Sequence, residues 1–267
     1  MKLGIPTLIE LETLDANAKL CNELGLDFIE INMNLPQYQA SVLTAEYLNK
    51  IQKKYGVFFT FHIPEDIDIA HLNDKVRTVN HDIVVDTITL MKKVSSSRLN
   101  MHMSRGVHFT LPDEKIYLYE NFRDQYLSHI EAFRLKMDNA IGDSDIIISI
   151  ENTGIFNIDY LKQGVDCLLE SKVFELTWDI GHDHSSGHLD KDFIEARADR
   201  VSHMHIHDAI GEKNHLQLYT GEMDIDRFVE IIRDKNISAV IETKTELVLR
   251  KSVSSLKEKL HKLDGAI

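Results

Sequence analysis

The chain carries fourteen histidines in 267 residues, and the informative ones fall at the ends of short apolar runs. Read in order, those runs close on Glu30, His62, His102, Glu151, Asp179, His205 and Glu242. Carboxylates and imidazoles in one set form a mixed oxygen and nitrogen donor field. Such a field suits Zn²⁺, Mn²⁺ or Co²⁺ better than Mg²⁺ or Ca²⁺, which favour all-oxygen shells. Without a cation, neighbouring anions and rings of this kind would have strongly shifted pKa values, so an empty site is costly. Lys244 is the one lysine on the strand faces that could offset them.

Around this set lie further histidines. His182 follows Asp179 by three residues, in what reads as a loop after a strand. His203, His205 and His207 alternate in one run and share a strand face, so they cannot all bind one ion. His205 sits at the depth of the other strand-end groups. His203 is expected to fill a core layer, His207 to lie at the rim, and Asp208 to accept a hydrogen bond from a ligand imidazole. His184 and His188 read as loop surface, and His71, His81, His108, His129 and His261 receive no role.

These groups need elements that bring them together. Eight apolar, β-branched or aromatic runs are visible: 3–6, 28–32, 57–64, 99–104, 146–152, 174–180, 201–207 and 239–243. Amphipathic stretches alternate with them. Leu14, Ala18 and Cys21 recur at helical spacing, as do Leu48, Ile51 and Tyr55, with Thr44 as an expected N-cap and Gly25 and Gly56 as expected helix stops. Alternating strands and helices imply a parallel sheet with right-handed crossovers. Eight units of about 33 residues favour closure into a single (β/α)₈ barrel, an α/β fold of roughly 250 residues. An open dinucleotide-binding sheet would want a Gly-rich turn after the first strand, and none is present.

In a barrel, strand C-termini surround one mouth, so the ionisable residues would converge there. Parity agrees. Two residues before them stand Thr60, Asn100, Ser149, Thr177 and His203, whereas the opposite face is apolar, with Phe59, Phe61, Met101 and Met204. The long gap from Arg105 to Ser144 reads as a loop around Pro112 followed by a helix over 119–141, a candidate lid.

Composition narrows the partners. A formal charge of −13 disfavours nucleic acid and anionic membrane without excluding a local basic groove. No signal-like or bilayer-length apolar segment is visible, and Cys21 and Cys167 sit in helical patterns, so a cytoplasmic protein without disulfides is expected.

The arrangement resembles the xylose isomerase-like barrel superfamily, which holds sugar and sugar-phosphate isomerases and epimerases together with endonuclease IV-type DNA repair enzymes. The resemblance rests on Gly25-Leu26-Asp27-Phe28-Ile29-Glu30, Ile150-Glu151-Asn152-Thr153, Asp179-x-x-His182, His205-x-x-Asp208, the run from His215 to Asp224, and Ile241-Glu242, in that order along nearly the whole chain. It implies one domain over 1–267, with Glu151, Asp179, His205 and Glu242 as a metal tetrad. Glu151 and Glu242 would double as acid and base on opposite faces of a small polyhydroxy substrate, through an enediolate. His182 would contact the substrate or a second metal. Glu30, His62, His102, Arg105 and Lys213 are expected near the substrate, with Arg105, Lys213 and Lys244 as candidates for a phosphate or carboxylate group. The superfamily often forms dimers or tetramers, so a homo-oligomer is a further expectation.

The endonuclease IV-type alternative would use three zinc ions. His62, His102, Glu151, Asp179, His182, His205, His215 and Glu242 match eight of its nine ligand positions, but the ninth, an aspartate, is Lys213 here. Tyr219 also replaces a glycine of that group. On the other side, Gly211 stands where many epimerases place an arginine.

Overall fold

The computed structural model describes residues 1–264; residues 265–267 of the expected domain lie outside the described residues. Each of the eight apolar runs forms a barrel strand. They are β1 (Lys2–Pro6), β2 (Phe28–Asn32), β3 (Phe58–His62), β4 (Arg98–His102), β7 (Ile147–Glu151), β8 (Phe174–Asp179), β9 (Val201–Ile206) and β12 (Ser238–Ile241). They close in the order β1-β12-β9-β8-β7-β4-β3-β2, with every neighbouring pair parallel.

The first two helices start and stop where local chemistry provides for their unpaired backbone groups. Helix α1 (Leu14–Glu23) begins at Thr13, whose hydroxyl accepts from the Ala16 N–H, and the chain turns away through Gly25 at φ +61°. Helix α2 (Ala45–Tyr55) is capped by the Thr44 hydroxyl and ends on Gly56 in the left-handed region, as expected. Helices α3 (Asp74–Lys93), α5 (Arg123–Ile141), α6 (Asp159–Leu169), α9 (Ile225–Asp234) and α10 (Glu246–Asp264) continue the outer ring. Their apolar stripes cover the outward strand residues Ile29, Phe59, Leu99, Ile148, Leu176, Met204 and Ile241, all fully buried.

The register confirms the interior parity. Asn32 lies beside His62, Asn100 beside Ser149, His102 beside Glu151, and Asp179 beside His205. The floor of the barrel is packed rather than open. The Phe28 ring lies inside it, and the half-buried Arg98 below the mouth donates to the hydroxyls of Ser149 and Ser202. Gly4 on β1 makes room for that ring, because a Cβ there would sit 2.5 Å from Phe28 atoms. Gly4→Ala is expected to destabilise the fold by about 1–3 kcal/mol through overpacking. The check is a lower urea midpoint at an unchanged m-value; a midpoint at or above the parent's would contradict the packing argument.

Two hairpins interrupt the βα alternation, and periodicity did not foretell them. In the 105–144 gap, β5 (His108–Thr110) and β6 (Lys115–Tyr117) pair antiparallel, followed by the short α4 (Leu118–Asn121) and α5. The residues of β5 are all exposed, so they carry no apolar alternation to read. After β9, β10 (Asp208–Ile210) pairs with β11 (Lys213–Leu216), and this second hairpin carries His215 to the mouth. Two short helices, α7 (Ile180–Ser185) and α8 (Lys191–Glu195), follow β8. Among the described residues no helix is long and apolar enough to cross a membrane.

Candidate active site

Glu151 ends β7, Asp179 ends β8, His205 lies near the end of β9, and Glu242 follows β12 directly. One donor atom from each of the four lies within 4.8 Å of every other. Donors around a zinc ion sit about 2.0–2.2 Å from it, which spaces them about 3–4.4 Å apart, so the set is compact enough for one ion. All four groups are largely buried, with side-chain exposures of 1, 0, 2 and 15% in chain order.

The contacts within this set are short but poorly directed. His205 Nδ1 lies 2.9 Å from Glu242 Oε2, 3.4 Å from Glu151 Oε2 and 3.8 Å from Asp179 Oδ2. Yet His205 Nδ1 and Glu242 Oε2 are both buried without a hydrogen-bond partner. Buried polar atoms are normally paired, and donors that crowd one point without bonding each other are arranged for something between them. Three carboxylates and an imidazole fit a divalent ion such as Zn²⁺, Mn²⁺ or Co²⁺.

Surrounding groups hold the donors in place. The Asn100 amide donates to Glu151 Oε2 and accepts from the Thr177 hydroxyl at 2.7 Å. Asn152 grips the Asp179 backbone at two points, accepting from its N–H at 2.7 Å and donating to its carbonyl at 3.0 Å. Glu30 lies beneath His205, with Oε1 2.9 Å from Nε2, the position of the carboxylate that commonly backs a ligand histidine. His62 Nδ1 faces its neighbour's carbonyl, Ile63 O, at 2.8 Å, so its Nε2 is aimed at Glu151 Oε2, 3.4 Å away. His102 Nε2 reaches the same oxygen at 3.4 Å.

Burial opposes every charge in this centre, and the opposing charges win. Glu151 is drawn below the usual carboxylate range by His205 and His102, Asp179 by His182 and His207, and Glu242 by His205 and Lys244. Burial likewise disfavours charging His62, but Glu151 and Glu30 push it up to about 9; for His182, Asp179 and Glu151 push it up to about 10. His203 and His215 go the other way, to about 4, because burial dominates there. The centre therefore calls for positive charge, which protonated rings supply when no cation is bound.

Above these groups opens a cavity of about 170 Å³ lined by Pro6, Glu30, Asn32, His62, Glu65, His102, Glu151, His182, His215, Glu242 and Lys244. Lys244 Nζ donates to Glu242 Oε1 at 2.9 Å at its edge.

The family model for the xylose isomerase-like TIM barrel matches residues 18–259. The chain belongs to that family. Among solved structures, a D-tagatose 3-epimerase-like protein is 22% identical with a TM-score of 0.79, covering 100% of this chain and 99% of its own. The 3-keto-D-glucoside 4-epimerase YcjR of E. coli is 16% identical with a TM-score of 0.75, covering 97% and 99%. The IolI protein with a bound zinc atom is 13% identical with a TM-score of 0.73, covering 97% and 96%. These likenesses establish the barrel over the full length of the chain.

Within the xylose isomerase-like barrel, the structure brings most of the expected residues together and leaves two outside. Glu151, Asp179, His205, Glu242, His62, His102, His182 and His215 cluster at the mouth. Arg105 is exposed and donates to the Gly154 carbonyl at 2.9 Å, and Lys213 is exposed on β11; neither lines the cavity. Glu30 lines the cavity, but its carboxylate is engaged by His205 and His203 rather than left open to a ligand. No residue of the β5–β6 hairpin lines the cavity.

Two expectations about the strand-seven segment are corrected. His207 is fully buried rather than at the rim, its Nε2 3.1 Å from Asp179 Oδ1. Asp208 does not back an imidazole. Its carboxylate accepts from the backbone N–H of Ala209, Gly221 and Met223 and so ties the loop after β11 to the start of β10. Asn32, the last residue of β2, and Glu65, three residues past β3, also line the cavity and carry no sequence signal beyond that position.

Proposed function

We propose that this chain is a divalent-metal-dependent isomerase or epimerase of a small polyhydroxy carbonyl compound. The observation that carries the proposal is the convergence of Glu151 and Glu242 on one buried point with Asp179 and His205. Their strands, β7 and β12, stand three apart around an eight-stranded barrel, so the two carboxylates approach from well-separated walls. The acid–base role of both glutamates and the metal tetrad are part of this reading.

Glu151, Asp179, His205 and Glu242 would hold the ion, which supplies polarisation of the substrate carbonyl and its adjacent hydroxyl. The remaining chemistry belongs to the side chains. One glutamate takes the proton from the carbon next to the carbonyl, leaving an enediolate, and the other returns a proton, so the product has the formula of the substrate. Glu151 Oε2 is crowded by Asn100, His62, His102 and His205, which leaves Oε1, 3.5 Å from His182, as the oxygen open to proton transfer. Glu242 is more open to solvent and can exchange its proton with it. His62, His102 and His182 face the cavity as hydrogen-bond donors to hydroxyl groups.

Several lines support the reading. The carboxylates and imidazoles that line the cavity suit a small hydroxyl-rich ligand rather than an apolar one. Two proteins of the same fold are described as an epimerase-like protein and an epimerase, and a third as binding zinc. The test is deuterium uptake. Protein loaded with Mn²⁺ or Co²⁺ and incubated with a panel of ketoses in D₂O is expected to exchange a carbon-bound hydrogen in at least one of them. No exchange in any ketose would sink the proposal, and incision of an abasic duplex by protein holding three zinc ions would replace it with phosphodiester hydrolysis.

A further inference from the structure

We propose that His207 is a positioning residue that fixes the orientation of Asp179 and makes it depend on the hairpin bearing His215. This rests on the metal-centre reading above. The geometry determines which nitrogen of His207 carries its proton. The backbone N–H of His215 donates to His207 Nδ1 at 2.8 Å, and a backbone N–H can only donate, so Nδ1 is unprotonated. The proton of the neutral ring is then on Nε2, which lies 3.1 Å from Asp179 Oδ1 and 3.2 Å from Oδ2. A carboxylate only accepts, so both ends of the ring are satisfied in one tautomer.

That tautomer decides between two readings of the ring. His182, His207 and His215 each place a nitrogen within 4.8 Å of the others, a spacing that could suit a second ion. With Nδ1 accepting a hydrogen bond and Nε2 protonated, His207 has no lone pair left for a metal. It acts through Asp179 instead. Asp179 Oδ1 already accepts from the His182 N–H at 2.6 Å, and the His207 Nε2–H bonds to Oδ2 at 3.2 Å, so each carboxylate oxygen has its own partner. Oδ2, 3.8 Å from His205 Nδ1 on the metal side, is thus aimed by the His207 ring.

The fold is shaped around this ring. His207 is fully buried, and a Cβ on Gly181 would lie 1.9 Å from its Cε1, so the first turn of α7 has room for it only because residue 181 is glycine. The ring stacks on that of His215, with centroids 4.2 Å apart. His215 itself is held at φ +53°, a left-handed conformation that strains a non-glycine residue. The hydrogen bond from its N–H to His207 helps to hold that conformation, linking hairpin docking to the carboxylate of a metal ligand.

Two substitutions separate the halves of the link, because asparagine places its amide near the Nδ1 position and glutamine near Nε2. His207→Asn keeps an acceptor for the His215 N–H and cuts the contact to Asp179. It is expected to lower Co²⁺ affinity about 10- to 100-fold in chelator competition and to shift the visible ligand-field band. His207→Gln keeps the donor to Asp179, so its cobalt spectrum should match the parent's while the His215 amide exchanges its hydrogen faster. An unchanged H207N, or an H207Q that loses cobalt as badly, overturns the inference. Nitrogen NMR on the unaltered chain covers a variant that fails to fold: an Nε2-protonated His207 is expected with and without Cd²⁺, and a ring nitrogen coupled to ¹¹³Cd contradicts it. If the parent takes up no Co²⁺, the metal-centre reading fails and takes this inference with it. Uptake by the parent with H207N unaltered sinks the inference alone.

Discussion

Glu151→Gln is expected to reduce turnover by at least about 10³-fold, near the upper part of the range for a lost acid–base group. The size of the effect follows from how many partners one carboxylate serves. Its Oε2 accepts from Asn100 and lies 3.4 Å from each of His62, His102 and His205, while Oε1 lies 3.5 Å from His182. Glutamine keeps the volume and an oxygen for Asn100, so the fold has no cavity to absorb. It removes the negative charge that the surrounding rings and the ion need, and the oxygen that would move a proton. The measurement is the rate of carbon-bound hydrogen exchange under saturating metal, with the unfolding midpoint recorded in parallel. Activity within about tenfold of the parent would take Glu151 out of the chemistry.

Removing the metal should produce the second large effect, and it is read without any substrate. A ligand that binds only the folded chain stabilises it by about 2.7 kcal/mol at a hundredfold excess over its dissociation constant. For a chain of this size, about 2–4 °C of melting temperature accompanies each kcal/mol, so chelation should lower the midpoint by roughly 5–10 °C. The physical cause is local. Glu151, Asp179 and Glu242 are brought together with at most 15% side-chain exposure, and without the ion they rely on protonated rings. Zn²⁺, Mn²⁺ or Co²⁺ should restore the midpoint, and Mg²⁺ should do so less well. A melting curve indifferent to chelator and metal would contradict the account.

Much of the fold and of the centre could be read from residue types. Strand-end groups such as His62, Glu151 and Asp179 stand out because an ionisable residue closing an apolar run is costly unless it has a purpose. The period of two then places Asn100 and Thr177 one layer below on the same face, where they brace Glu151. What escaped sequence reading lay where neither burial pattern nor period speaks. The β5–β6 hairpin is solvent-facing, and β10–β11 is too short to show alternation. His207 was misplaced at the rim because its strand parity was right but its depth was not. The first turn of α7 at Gly181 and the stacked His215 ring close over it and bury it. Arg105 and Lys213 offer only their charge as a signal, and charge does not say which way an exposed side chain faces.

Metal content per chain tests the central claim most directly. The account predicts one equivalent of a divalent transition metal on anaerobically purified protein, lost in Asp179→Asn and Glu151→Gln. Three equivalents would point to the phosphodiesterase chemistry instead, and none, with no uptake on addition of Zn²⁺, Mn²⁺ or Co²⁺, would contradict the account.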